Sequence, residues 1–410
     1  MEQVVAKLQK SNVISGQALN ITGSKSESNR ALILKALYPE IQLANLSNSD
    51  DTTLLEKALK STDNLIDINH AGTAMRFLTA YLSTQGSKEV VLTGSPRMKE
   101  RPIAVLVKAL KQLGADIQYA EEAGYPPLRI KGTYFQANAV ELNANISSQY
   151  ISALLLIAPS LPNGLRINLL GNITSRPYIE MTLALLRQVG VRALFNGNEI
   201  QVDPLVQLKR DCKIVIESDW SSASYYYSLM ALSEIGTKVY ISHYFKNSLQ
   251  GDSVLVEIYE TFGVKSEFLD NQLIISKAQK VEVEVLELDL SDAPDIAQTI
   301  AVTCFGLGLS CRLTGLHTLK IKETDRLEAL KAELSKLGAS IRVTENTLTL
   351  ERSEQFIGNQ SIDTYHDHRM AMAFAPLALI GPIRINDPGV VSKSYPTFWE
   401  DLSTLGVDMK

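Results

Sequence analysis

The chain has 410 residues, of which 45% are hydrophobic and 21% charged, with a formal net charge of −5 and a pI near 5.7. A chain of this length exceeds one core of ordinary size, so two domains are expected. The acidic balance excludes a general nucleic-acid binder, which would need a basic face.

The N-terminal stretch MEQVVAKLQKSNVISG has no long apolar run and is not arginine-rich. No uninterrupted apolar segment reaches the roughly 18 residues of a membrane span. A cytoplasmic protein is expected. Cys212, Cys304 and Cys311 form no Cys-x-x-Cys pair, and buried thiols in a reducing compartment are the expectation.

In chain order, a short polar loop repeatedly opens an apolar helix rich in Ala and Ser. The copies are GSKSESNRALILKAL, HAGTAMRFLTAYL, ISSQYISALLLIA, DWSSASYYYSLMAL, APDIAQTIAVTCFGL and HDHRMAMAFAPLAL. Anchored on Gly72, Ser148, Ser222, Asp295 and Arg369, they recur at spacings of 76, 74, 73 and 74 residues. An amphipathic helix interleaves with them and ends in a hydrophobic residue, Gly and an alternating strand. LVKALKQLGADIQYA, TLALLRQVGVRALF, LVEIYETFGVKSEFL, LKAELSKLGASIRV and FWEDLSTLGVDM are its copies. Gly114, Gly190, Gly263, Gly338 and Gly406 are the expected helix stops, since glycine takes the left-handed conformation cheaply. Stretches such as FNGNEIQV and LDNQLIIS read as strands turning back through Asn or Gly.

Helices apolar on all sides belong inside, and amphipathic ones outside. The expectation is an α/β fold of six units, three per domain. The first unit is short, because Lys25 and Gly72 are only 47 residues apart, and it lacks the helix–Gly–hairpin signature.

Unusual polar residues gather at predicted helix starts, where free N–H groups and the helix dipole attract anions. Lys25, Ser26 and Arg30 open the first inner helix. Ser147, Ser148 and Gln149 open the third. Arg101-Pro102 and Arg176-Pro177 read as openings of outer helices. In IKETDRLEALKAELSKLG, Leu327, Leu330, Leu334 and Leu337 form an apolar stripe, and Glu323 projects onto its middle. A carboxylate there is costly unless paired or working. Asp292 and Asp295 flank Ala293-Pro294, and taken alone either reads best as a helix cap.

TYHDHRMAMA, residues 364–373, admits a metal, acid–base or anion reading. No second His/Cys/Asp cluster has structural-zinc spacing, and His70, His243 and His317 are isolated. Arg369 at a helix start suits a carboxylate or phosphate, with His368 orienting it or exchanging a proton. Walker, Rossmann, nucleophile-elbow and zinc-protease motifs are absent from the sequence. The many cations beside loop–helix junctions imply polyanionic substrates, with Asp295 and Glu323 supplying proton transfer.

In these stretches the chain resembles the 5-enolpyruvylshikimate-3-phosphate synthase family. GSKSESNRAL, AGTAMRFL, LTGSPRMKERPI, ISSQY, SRPYIEMT, SDWSSASYY, NSLQGD, APDIAQTIA, KETDRL, YHDHRMAMAF and SKSYPTFWEDL carry the resemblance, in family order from residue 23 onward. It implies a two-domain inside-out α/β barrel of six βαβαββ repeats. One domain would be residues 1–23 plus 217–410 and the other 24–216, with the active site in the cleft between them. It implies transfer of the enolpyruvyl group of phosphoenolpyruvate to the 5-hydroxyl of shikimate 3-phosphate, with release of phosphate. No metal, organic cofactor, nucleic-acid or membrane partner is implied, and a monomer is expected.

Position by position, the resemblance implies a phosphoenolpyruvate set of Lys25, Gly72, Arg101, Gln149, Arg326, Arg369 and Lys393. It implies a shikimate-phosphate set of Lys25, Ser26, Arg30, Ser147, Ser148, Gln149, Ser175, Asp295 and Lys322. Asp295 would accept the proton of the attacking hydroxyl, Glu323 would serve the methylene carbon, and Lys25 would assist both charge and proton handling. His70 departs from the family's usual Asn, and Phe77 from a frequent Pro. The nearest rival, the UDP-N-acetylglucosamine enolpyruvyl transferase, shares fold and donor but opens with Lys-Asn, where this chain has Lys25-Ser26. A catalytically dead anion-binding or RNA-processing relative is the rival of another class, and the retained Lys25, Asp295 and Glu323 argue against it.

Overall fold

The computed structural model describes residues 4–410 except 87, 144–146, 172 and 174. The chain divides into two compact units, one of Met1–Thr22 with Glu217–Lys410 and the other of Gly23–Ile216. Each has its own hydrophobic core.

Four sheets share one topology. In the Gly23–Ile216 unit, Leu65–Asp67 runs parallel to Glu89–Thr93, which pairs antiparallel with Leu128–Lys131 and through it with Asp116–Tyr119. Ala139–Asn143, Leu165–Leu170, Glu199–Val202 and Ala193–Asn196 repeat that order. In the other unit it recurs with Ala18–Leu19, Lys238–Ser242, Gln272–Lys277 and Val264–Leu269. The last copy is Val285–Asp289, Ser310–Thr314, Leu348–Leu350 and Ile341–Val343. In three sheets a single helix crosses over between the two parallel strands, as their pairing requires, and between Leu19 and Lys238 the connection holds the whole Gly23–Ile216 unit before helix Trp220–Leu232.

The crossover helices are the apolar ones. In Trp220–Leu232, 11 of 13 residues are buried, and Ser148–Ile157 is buried apart from Gln149. The amphipathic helices, such as Ala104–Leu113 and Arg176–Val189, bury one stripe and stop at Gly114 and Gly190 with φ of 110° and 107°. All five predicted stop glycines have positive φ.

Two units of the pattern are incomplete. The first has only Lys213–Val215 parallel to Gln42–Ala44, and no hairpin follows its second helix, Asp50–Lys60. The sixth pairs Ser361–Ile362 with Ile383–Asn386 and then takes Val5–Leu8 from the chain's other end. The strand expected after Gly406 is reduced to a single bridge, Leu8 to Met409. In this unit, non-local pairing takes the place of the hairpin that the first unit lacks outright.

Cys212, Cys304 and Cys311 are buried and free. Among the described residues no helix is long and apolar enough to cross a membrane, and no cluster of His, Cys, Asp and Glu is arranged to hold a metal ion.

Candidate active site

In the unit that ends the chain, the site is built around Arg326, the first residue of helix Arg326–Lys336. The side chain is 2% exposed and grips three carboxylates. Nε donates to Asp367 Oδ2 at 2.7 Å, Nη1 to Asp295 Oδ1 at 2.9 Å and Nη2 to Glu323 Oε2 at 2.9 Å. Burial would lower its pKa, but Asp367, Glu323 and Asp295 together hold it above the usual arginine value.

Further cations surround the same carboxylates. Lys393 Nζ lies 2.9 Å from Glu323 Oε1, Lys322 Nζ 3.4 Å from Asp295 Oδ1, and Arg369 Nη2 3.4 Å from Asp295 Oδ2. Burial alone would raise the pKa of Asp295. Lys322, Arg369 and Arg326 outweigh it and hold the carboxyl well below its usual range. Two potential proton carriers, Asp295 and Glu323, are therefore bridged by one guanidinium.

Local structure corrects three expectations. Glu323 is not on the helix, because Asp325 caps it by accepting from the N–H groups of Leu327 and Glu328 at 3.2 Å. Glu323 lies in the loop before the cap and is kept inside by Arg326 and Lys393. Arg101 does not open a helix either. Its N–H donates to the Met98 carbonyl at 3.1 Å, closing the short helix Pro96–Lys99, and the next helix starts at Ala104. Neither Asp292 nor Asp295 caps the helix Ala297–Gly306. Asp292 is exposed, and Asp295 sits within a 3-10 turn, Pro294–Ile296, facing the cations.

The HDHR stretch separates by burial. His366 is at the surface, 3.5 Å from Asp387. His368 is buried at the first position of helix His368–Phe374. Asp367 caps that helix, accepting from Arg369 N at 2.9 Å, while its other oxygen holds Arg326.

Sequence reasoning gave no role to Ser221 or Asp252. Arg369 Nη2 donates to Ser221 Oγ at 3.2 Å, and Ser221 donates in turn to Asp252 Oδ2. Both lie in stretches quoted for the family resemblance, and only their meeting with Arg369 in three dimensions singles them out. Burial, chiefly, and then Asp295 push the Asp252 carboxyl up from 3.8 to about 6. Folded Asp252 therefore retains a proton between pH 3.8 and 6 that the unfolded chain has lost, so its contribution to stability falls as pH rises through that window. Asp252→Asn removes the buried charge and is expected to stabilise the protein at pH 8 by roughly 1–3 kcal/mol, with little change near pH 4. Asp295, held low, has the opposite dependence, losing its contribution as pH falls through the range below 3.8. Thermal melts of wild type and variant at both pH values check this, and equal shifts at pH 4 and 8 would contradict it.

The Gly23–Ile216 unit carries the other candidates. Lys25 begins helix Lys25–Leu37, and its ammonium makes no ion pair among the described residues. Ser26 accompanies it, half-buried, with its carbonyl taken by Arg30 Nη1 at 2.7 Å. Arg30 is committed inward, to Thr182 Oγ1 at 2.7 Å, Ser152 Oγ at 3.0 Å and the Tyr178 carbonyl at 3.2 Å. Burial lowers its pKa to about 10, and the Phe77 ring lies 5.5 Å from its guanidinium carbon. Phe77 thus supplies a cation–π face to Arg30.

Ser147 caps helix Ser148–Ile157, and Gln149 Nε2 reaches Thr73 Oγ1 at 3.5 Å, next to Gly72. Two helix N-termini, at Gly72 and Ser148, are thereby tied together. Ser175 is buried and has a φ of 54°, immediately before helix Arg176–Val189. Arg76, a charge in an apolar helix that sequence reasoning passed over, donates to the carbonyls of Gly72 at 3.0 Å and Pro102 at 3.3 Å. It links the Gly72 helix start to the Arg101-Pro102 turn.

A Cβ at position 72 would overlap Arg101 Nη1, the mobile end of a flexible side chain. Gly72→Ala is therefore expected to keep the fold while displacing the guanidinium. The Michaelis constant for an anionic substrate that Arg101 binds is expected to rise about tenfold, with a melting temperature within ~2 °C of wild type. Steady-state kinetics and a thermal melt test this, and unchanged kinetics would detach Arg101 from the site.

Residues 56–402 match the family model described as EPSP synthase (3-phosphoshikimate 1-carboxyvinyltransferase). The chain belongs to the EPSP synthase family. A 3-phosphoshikimate 1-carboxyvinyltransferase of Bacteroides fragilis is 46% identical over 398 residues, spanning 96% of each chain. One from Vibrio cholerae is 38% identical over 427 residues, spanning 97% of this chain and 98% of the relative. Among solved structures, EPSP synthase from Acinetobacter baumannii has a TM-score of 0.79 at 22% identity, covering 99% of both chains. The enolpyruvyl transferase NikO from Streptomyces tendae has a TM-score of 0.75 at 13% identity, covering 100% of this chain and 98% of the other. At those identities the two structures bear on the fold alone, the two-domain α/β architecture of EPSP synthase.

Proposed function

We propose that this chain transfers the enolpyruvyl group of phosphoenolpyruvate to the 5-hydroxyl of shikimate 3-phosphate, releasing phosphate. The observation that carries the reading is the Arg326 cluster. There, two carboxylates able to move protons are held among Arg326, Arg369, Lys322 and Lys393. Lys25, Gly72, Arg101, Gln149, Arg326, Arg369 and Lys393 are the proposed phosphoenolpyruvate ligands. Lys25, Ser26, Arg30, Ser147, Ser148, Gln149, Ser175, Asp295 and Lys322 are the proposed shikimate-phosphate ligands. Arg30 contributes mainly by fixing the first turn of its helix, since four of its five N–H donors are engaged.

The reaction runs by addition and elimination. The methylene carbon of phosphoenolpyruvate gains a proton, with Glu323 as the proposed donor, and C2 becomes cationic. The 5-hydroxyl attacks C2 as its proton passes to Asp295, giving a tetrahedral intermediate. The new methyl group then returns a proton as the C2–O bond to phosphate breaks. A carboxylate held as low as Asp295 is a weak base. Bound substrate anions oppose Lys322, Arg369 and Arg326 and so raise its basicity where the proton must move. The cations stabilise two polyanions side by side. The protein is proposed to act in the cytoplasm as a monomer, without a cofactor.

A phosphorus NMR time course with shikimate 3-phosphate and phosphoenolpyruvate tests the reading, with UDP-N-acetylglucosamine as acceptor in a parallel tube. Inorganic phosphate and an enolpyruvyl ether only with shikimate 3-phosphate are expected. Product only with the nucleotide sugar would replace the acceptor, and silence in both tubes would leave a dead relative.

A further inference from the structure

Residues 364–367 form a turn in which Asp367 N donates to the Thr364 carbonyl at 2.8 Å. Its central residues, Tyr365 and His366, have φ of 54° and 55°. Two successive left-handed residues are the pattern of a type I′ turn, which favours Asn-Gly and penalises a bulky pair such as Tyr-His. Such strain persists only where surrounding contacts over-determine it. The next three residues are Asp367, which holds Arg326, then His368, then Arg369, which reaches Asp295.

The contacts that oppose the strain converge on Glu333, a carboxylate with 0% exposure that the proposed chemistry does not use. Glu333 Oε1 accepts from the Tyr365 hydroxyl at 2.6 Å, and Oε2 accepts from Asp363 N at 3.0 Å. Lys336 Nζ neutralises it at 2.7 Å and also reaches Asp363 Oδ2 at 2.8 Å. Asn386 Nδ2 holds the other Asp363 oxygen at 2.6 Å. Glu333 stands on the helix whose first residue is Arg326. One rigid element therefore fixes the turn from both sides, through Arg326 to Asp367 and through Glu333 to Tyr365.

We infer that Glu333 and Tyr365 are positioning residues, a clamp that holds the strained turn and thereby sets Arg369, and through Asp367 also Arg326, for binding the donor anion. The inference rests on the reading of Arg369 and Arg326 as phosphoenolpyruvate ligands. Without the clamp the turn relaxes toward negative φ, and Asp367 and Arg369 lose their register on Arg326 and Asp295. A glycine at position 366 adopts positive φ without penalty and makes the clamp less necessary. His366 is 94% exposed on its side chain, so that change leaves packing intact.

The test uses the full chain and three variants, Tyr365→Phe, His366→Gly and the double variant. Tyr365→Phe removes only the hydroxyl. It is expected to raise the Michaelis constant for phosphoenolpyruvate about fivefold to tenfold, with that for shikimate 3-phosphate within about twofold. His366→Gly alone should match wild type, and added to Tyr365→Phe it should restore the phosphoenolpyruvate constant to within about twofold. A merely structural role would lower the melting temperature without separating the two constants. Unchanged constants in Tyr365→Phe, an equal rise in both, or a lack of rescue would each overturn the clamp. So would loss of folding in Tyr365→Phe that the double variant does not recover. Wild-type protein without turnover would instead overturn the reaction assignment.

Discussion

Asp295→Ala is expected to lower turnover by about 10²- to 10⁴-fold, the span typical of losing a positioned proton carrier. The Michaelis constants should change little, because Lys322, Arg326 and Arg369 remain and lose a carboxylate that competes with substrate anions for them. Stability should fall only modestly. Arg326 keeps Asp367 and Glu323, so no buried charge is left bare. Steady-state kinetics with both substrates, alongside a thermal melt, separate the two quantities. Normal turnover in this variant would remove Asp295 from the mechanism.

Arg326→Ala is the more destructive change. The guanidinium is 2% exposed and pairs with Asp367, Glu323 and Asp295; its loss strips the fully buried Asp367 of its arginine, while Glu323 keeps Lys393 and Asp295 keeps Lys322 and Arg369. Breaking one buried pair costs about 3–5 kcal/mol, and the Asp367 pair, with neither partner more than 2% exposed, is the one that sets this loss. Protein that still folds should show a Michaelis constant for phosphoenolpyruvate raised far more than that for shikimate 3-phosphate. Denaturant unfolding measures the first effect and steady-state kinetics the second. An equal effect on both substrates would contradict the assignment of Arg326 to the donor. Lys is expected to rescue stability only in part, since one ammonium cannot match three carboxylates in a fixed fork.

Much of the architecture is legible in the sequence because the signals are local. Each stop glycine follows a finished apolar stripe, and φ at Gly114 or Gly190 is then dictated by helix termination. The shortened first unit shows as a missing hairpin signature, and its sheet has two strands. The sixth unit hides its partner for the complementary reason. FWEDLSTLGVDM carries the helix–Gly signature and residues 408–410 do pair after it, but with Val5–Leu8 in place of a second hairpin strand, a pairing that no local pattern encodes.

The candidate site divides in the same way. Residue types at helix starts make Lys25, Ser148 and Arg369 candidates for an anion site, because the helix dipole belongs to the helix end itself. The roles of the carboxylates were not readable. Helical periodicity places Glu323 on the Leu stripe, but the Asp325 cap ends the helix first, and only Arg326 and Lys393 keep the carboxylate buried. Asp295 reads as a cap until Lys322 and Arg369 converge on it from stretches 27 and 74 residues away.

The repeat, the two kinds of helix, the surplus of cations at loop–helix junctions and the family all follow from the order of the residues. These rest on periodicity, composition and motif order, which are properties of neighbours along the chain. That Arg326 is the hub of three carboxylates, that Asp252 stands behind Ser221 and Arg369, and that Glu333 grips the strained Tyr365-His366 turn emerge from the folded chain alone. Those facts depend on burial and on charges brought together across the fold. Electrostatic coupling is strong only once water is excluded and the separation falls to a few ångströms, and neither condition is written in sequence spacing.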